Sequence, residues 1–215
     1  MIVSAIIGPV IVKCLEGACP WVSTADSISK VVPPPPVNYL PAHSDIGYDL
    51  EFIEGSTLSN SDIAEAFADQ GRGEYDDLLY MLDDEFGRRD NYGHYYDAPD
   101  KCEPNADIHW LMMQVILMKD DDGARDYIDY LQNNPYYLNS YQFNEIGEYG
   151  YVNWARGGDE DECEEMVVHL RCQKHNAFIS IQMGFNVETI SHEEVKAIAV
   201  PLMRIIELKL DAAAR

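Results

Sequence analysis

The chain is expected to fold as an α+β domain, an antiparallel sheet of about five strands with helices packed on one face. Three observations support this. Apolar residues recur at helical spacing twice before Gly87, and the period then drops to two. The strand-like segments that follow come in neighbouring pairs joined by polar loops, as antiparallel hairpins do. A capped apolar helix closes the chain.

The first helix lies in "STLSNSDIAEAFADQG", where Ser59 and Asp62 form an N-terminal signal and Ile63, Ala66 and Phe67 share a face. The second, "EYDDLLYMLDDEFGRRD", places Tyr75, Leu78, Leu79, Leu82 and Phe86 together and stops at Gly87. "NYGHYYDA" and "DIHWLMMQVILMK" then alternate as an antiparallel pair linked by "PDKCEPNA". In the second of these, Leu111, Met113, Val115 and Leu117 point one way, while Trp110, Met112, Gln114, Ile116 and Met118 are nearly as apolar. Such a strand is central, or its second face meets another surface.

"DDDGARDYIDYLQNNP" is a short helix capped by Asp120 to Asp122, with Ala124, Tyr127, Ile128 and Leu131 as its buried stripe. "NEIGEYGYVNWAR", "EMVVHLRC" and "NAFISIQM" are further strands, and the last two form a hairpin. Its parity turns Met166, Val168, Leu170 and Cys172 inward opposite Ala177, Ile179, Ile181 and Met183. Val167, His169, Arg171, Phe178, Ser180 and Gln182 face outward. The closing helix, "SHEEVKAIAVPLMRIIELKL", begins with a Ser191–Glu194 capping box and is expected to kink at Pro201, which removes a backbone bond at a cost of about 3 kcal/mol.

Ahead of these elements lie two other kinds of segment. Residues 1–13 carry no charge before Lys13, yet a membrane span needs roughly 20 apolar residues and this run is interrupted by Gly8-Pro9. A basic start and a lipobox are missing. The run therefore reads as the remnant of a signal anchor, or as a buried apolar strand. Residues 14–47 form a Cys- and Pro-rich spacer, in which Pro33 to Pro36 favour a polyproline II rod; a strap packed on the domain is the alternative. The α+β domain proper is assigned to residues 48–215.

Charge narrows the choice of partners. Fifteen Lys and Arg against 38 Asp and Glu give a formal net charge of -23, which repels phosphate backbones, so nucleic acid is excluded as a partner. Catalytic and cofactor motifs are missing: GxSxG, HExxH, GxGxxG and GxxxxGK[ST] do not occur, and the histidines (His43, His94, His109, His169, His175 and His192) form no ligand spacing. No cofactor is expected, and the chain is read as a non-enzyme, with a hydrolase using scattered carboxylates as the minor alternative. Asp120 to Asp122 cannot open an EF-hand, because Gly123 at position 6 puts Met118 at position 1. "GGDEDECEE" (157–165) crowds six carboxylates together, making Asp159 and Asp161 weak calcium candidates against the simpler reading of a solvated loop.

Fourteen Tyr against six Phe is an unusual ratio, and tyrosine suits interfaces as well as sheet rims. Trp110, Met112, Tyr136, Tyr137, Tyr149 and Tyr151 are the residues expected to touch a partner.

The helix "DIAEAFAD", the helix "DDGARDYIDYL" after a long strand, and "VVHLRCQKHNAFISI" before a closing helix come in a suggestive order. That order resembles the small extracytoplasmic sensor-like domains of bacterial lipoproteins and PknH-type receptor kinases, over residues 48 to 210. The resemblance implies a non-catalytic domain outside the cytoplasm and carries over no functional residues. With the apolar start and the spacer, it makes a membrane-tethered, extracytoplasmic protein-binding domain the leading expectation. A fixed accessory subunit of a bacterial membrane complex is the alternative.

Five cysteines without a CxxC also suit an oxidising compartment. Cys163 and Cys172 cannot bridge along an extended strand, since nine residues span roughly 30 Å and a disulfide needs Cα atoms within about 7 Å. The expected pattern is Cys14–Cys19 and Cys102–Cys163, with Cys172 a free buried thiol. Non-reducing peptide mapping checks it, and a disulfide containing Cys172 would overturn both the pairing and the hairpin parity.

Overall fold

The computed structural model describes residues 30–99, 108–133, 137–157, 165–185 and 190–214. Among these, seven strands form one antiparallel sheet. They are β1 (Glu51–Ser56), β2 (Arg88–Asp97), β3 (Trp110–Met118), β4 (Asn139–Gln142), β5 (Tyr149–Gly157), β6 (Glu165–Lys174) and β7 (Ala177–Phe185). Their order across the sheet is β1-β2-β3-β7-β6-β5-β4. The α-helices are α1 (Asn60–Asp69), α2 (Tyr75–Tyr80), α3 (Asp121–Gln132) and α4 (His192–Ala213). A π-helical turn, Met81–Glu85, extends α2, and Gly87 ends it in the left-handed region at φ 60.

The α+β class and the antiparallel sheet match the expectation, and the five strands read from the sequence are the five inner ones. The two additions are the edges. β1 is exposed along its whole length and β4 is only four residues long and equally exposed, so neither carries the alternation that marks a half-buried strand.

Helices cover both faces of the sheet, where one face had been expected. Leu111, Met113, Val115 and Leu117 of β3 pack with Val168, Leu170, Ile179 and Ile181 under α4, whose Val195, Ala199, Leu202, Met203, Ile206 and Leu210 are buried. On the other side, Ile116, Met118 and Phe178 meet Ile63, Leu78, Leu82, Phe86, Tyr127 and Ile128 of the three shorter helices and the π-helical turn. The physical reason is the double apolarity of β3, which pairs with β2 and β7 and leaves neither face fit for water. Phe178, Arg171 and Ser180, given to the outer face by parity, do lie on the face away from Cys172 and Ile179, but all three are buried, Phe178 within the helix-covered apolar cluster.

Local sequence sets the helix starts. Ser59 and Ser191 each make a full capping box, and the Asp120 side chain accepts from the Gly123 amide at 2.9 Å. The final helix runs unbroken for 22 residues through Pro201. Ala197 and Pro201 are both exposed, so the carbonyl that loses its donor faces water.

The proline run is not a free-standing spacer. Residues 31–215 form one compact unit, and Val32, Tyr39 and Leu40 are in the core beneath α4. The Val32 amide donates to the Asn176 side chain at 2.7 Å, and Lys209 donates to the Leu40 carbonyl at 2.6 Å. The segment is therefore a strap, because its apolar residues bury more favourably than they solvate. Residues 1–29, with the apolar start, fall outside the described residues.

Gly123 shows how closely the helical layer sits on the turn before β2. A Cβ there would fall against the Phe86 carbonyl oxygen, inside van der Waals contact. Gly123→Ala is expected to lower stability by about 1–3 kcal/mol through overpacking, although alanine gains up to about 1 kcal/mol in helix propensity. Gly47→Ala, where a Cβ would meet nothing within 4 Å, should leave the urea midpoint nearly unchanged.

Candidate functional site

The three shorter helices cover only part of their face of the sheet. Their apolar cluster rests on the Ile116–Phe178 end, and the neighbouring stretch of sheet is left as the floor of a groove of about 580 Å³. Two rungs of cross-strand partners lie across that floor. One runs Tyr95, Met112, Gln182, His169, Asn153, and the next runs Gly93, Gln114, Ser180, Arg171, Tyr151. Side chains on one rung stand about 5 Å apart, so these residues form a continuous polar strip in the middle of the sheet. Phe67, Ala66 and Ile63 of α1 wall it on one side, and Tyr137 closes on it near His169 and Arg171.

Arg171 is buried to 5% exposure. Its guanidinium donates to His169 Nδ1 at 2.9 Å and to Asn153 Oδ1 at 3.3 Å, and the Tyr137 ring centroid lies 5.2 Å from its Cζ. Since His169 accepts through Nδ1, its own proton resides on Nε2 and the ring is neutral. Burial, and then the neighbouring Arg171 charge, hold the His169 pKa down at about 3. Ser180 Oγ and Asn153 Nδ2, both buried, find no partner among the described residues. A second arginine, Arg72, lines the groove sandwiched between Phe67 and Tyr130, with its Cζ 4.5 and 4.3 Å from the two ring centroids.

The residues expected to touch a partner are placed unevenly. Met112 and Tyr137 line the groove. Trp110 sits one rung beyond Met112 over Gly184, where a Cβ would collide with its indole. Tyr149 and Tyr151 occupy the same sheet face but serve to fasten β5 to α3: the Tyr149 hydroxyl donates to Asp129 at 2.5 Å, and burial followed by that hydrogen bond raises its pKa. Tyr136 lies outside the described residues, as do Asp159, Asp161, Cys14, Cys19, Cys102 and Cys163. Cys172 is a fully buried free thiol, its pKa pushed up by burial and by Glu207. Among the described residues, no group of three His, Cys, Asp or Glu is placed to hold a metal ion.

Sequence reasoning missed the polar strip itself. Parity puts His169, Arg171, Ser180 and Gln182 on the outward face, and it does not show that this face is covered. Their position on inner strands, flanked by residues of the apolar cluster, was the signal that a covered polar surface lay there.

No protein-family model matches the chain, and no curated protein matches it. Among solved structures, the chain is similar to the extracellular domain of PknH from Mycobacterium tuberculosis, at a TM-score of 0.46 and 12% identity. That likeness covers 80% of this chain and 94% of the other. It is a weak similarity of fold with a domain of the kind that the order of the three segments resembles.

The neutral imidazole makes stability depend on pH. In the unfolded chain a histidine protonates near pH 6.5, whereas folded His169 stays neutral down to about 3, so the unfolded state takes up the proton first. Stability is then full above pH 6.5 and falls as pH drops towards 3. His94, whose pKa is lowered by burial and then by His43, acts with the same sign, so the test is a comparison. Between pH 7 and 5, above most carboxylate titration, wild type should lose more urea stability than H169Q; parallel losses would remove His169 as the cause.

Proposed function

We propose that this chain is a non-catalytic protein-binding domain, tethered to the extracytoplasmic face of a bacterial membrane through its N-terminal segment, and that its partner docks in the groove. The observation behind this reading is the groove's composition. A polar strip with buried atoms at Ser180 and Asn153 that have no partner among the described residues shares the groove with aromatic and thioether side chains, Tyr137 and Met112 among them. Buried polar atoms cost about 1–3 kcal/mol each when unpaired, so an occupant that pairs them gains affinity and orientation together. The sequence carries none of the nucleophile, metal or phosphate motifs that would turn such a groove to chemistry.

A fixed accessory subunit of a membrane complex is the second reading. It is favoured by the apolar side chains on the two sheet edges, Phe52 and Ile53 on β1 and Leu138 and Tyr141 at β4, which are 42 to 54% exposed.

Site-specific photo-cross-linking in native membranes tests the proposal. A benzophenone side chain at Tyr137 or Met112 is expected to capture one discrete protein, and the same probe at exposed Leu208 on α4 is expected to capture none. Equal capture from both faces, or none from the groove, would end the reading. Native-mass sizing separates the alternatives, since a free species near 24.4 kDa rules out the fixed subunit.

A further inference from the structure

We propose that the groove recognises a carboxylate carried on an apolar stem, with Arg171 as the group that receives it. This rests on the reading that the groove is a binding site, and it adds the chemistry of the occupant.

Among the described residues, Arg171 is a cation without a counter-ion. Its three neighbours, the His169 imidazole, the Asn153 amide and the Tyr137 ring, are all neutral. Among the described residues no carboxylate pairs with it, in a chain that has 38 Asp and Glu to offer. Two other cations on the sheet, Lys174 and Arg88, differ. Lys174 lies 3.6 Å from Glu207 and 3.2 Å from Asp211, and the field at Arg88 includes Asp90, Asp62 and Asp83. A buried, unpaired charge is costly in a folded protein, and the cost is relieved when an opposite charge arrives.

The surroundings specify the kind of anion. Ser180, opposite Arg171 on the same rung, is 2% exposed and its hydroxyl has no partner among the described residues. Guanidinium and hydroxyl together match the two oxygens of one carboxylate. Glu54 and Asp62 line the groove, and among the described residues no lysine does, so a phosphate dianion would meet more repulsion than a single carboxylate without a second free cation; Arg72 is already engaged by two rings and by the Tyr130 carbonyl at 3.0 Å. Ile63, Phe67, Met112 and Phe178 offer apolar surface to whatever carries the carboxylate. Two sources have this chemistry: a free organic acid, and the chain terminus of a partner polypeptide.

The experiment uses the full chain and paired probes. Calorimetry and thermal shift are run with 3-phenylpropionate against 3-phenylpropionamide, and with acetyl-Ala-Ala-Phe as free acid against its C-terminal amide. Each acid is expected to bind wild type at least roughly tenfold more tightly than its amide, the scale of a charge-assisted hydrogen bond. R171Q should abolish that preference, and S180A should reduce it a few-fold. Tighter binding of the peptide acid assigns the chain terminus as source, and tighter binding of phenylpropionate assigns a free acid. Equal binding of acids and amides, no binding of either, or displacement by millimolar inorganic phosphate overturns the inference, and these outcomes are read on wild type even if R171Q fails to fold. Should the acids fail while Tyr137 still cross-links a protein, only the carboxylate assignment falls. Acid binding without any cross-link removes the protein partner instead.

Discussion

The architecture depends on one constraint: the central strands β3, β7 and β6 cannot be left open to water on either side. Leu111, Met113, Ile179 and Ile181 demand cover on one face, and Ile116, Met118 and Phe178 demand it on the other. One long helix answers the first demand, because α4 reaches across β6 and β7 with six buried apolar side chains. The second is answered by shorter helices drawn from two parts of the chain. They are too short to span the sheet, and the stretch they leave is the stretch whose side chains are polar. Sequence, cover and groove are thus one fact: His169, Arg171, Ser180 and Gln182 occupy the positions where a helix is missing.

Electrostatics differ sharply between the two faces. Around the β6–β7 turn, Lys174 and His175 meet Glu148, Glu207 and Asp211, and buried Glu207 also accepts from the Gly147 amide at 3.1 Å and from Arg204. That network locks α4 to the sheet, each buried charge facing an opposite one. The Lys196–Glu145 pair at 2.5 Å repeats the arrangement nearer the start of α4. On the groove face, Arg171 has only neutral company. Lys174 is neutralised at the β6–β7 turn, whereas Arg171 lies buried beside neutral groups.

Much of this was legible in the residues. The helix caps at Ser59, Asp120 and Ser191, the buried stripe of α3, and the hairpin parity around Cys172 all follow from local spacing, and the structure has them where that spacing puts them. The edge strands were not legible, since an exposed strand owes its state to a neighbour's hydrogen bonds and not to its own pattern. The strap was misjudged for a related reason. Four consecutive prolines describe a stiff local conformation, but whether it stands free depends on Val32, Tyr39 and Leu40 finding a core more than a hundred residues away. The groove was half visible. Parity put His169, Arg171 and Ser180 on one face, and only the lengths and landing places of α1 to α3 decide whether that face is wet, covered or hollow.

The strap also fixes how the domain bears load. A pull on the chain ahead of Val31 reaches the sheet first through the Val32 amide and the Asn176 side chain, and Asn176 passes it to the Met118 carbonyl at 2.9 Å. Tension therefore enters at the end of β3 and the turn between β6 and β7, at the middle of the sheet, and is spread over strands bonded on both sides. Had the chain entered at β1, the same tension would unzip an edge one hydrogen bond at a time.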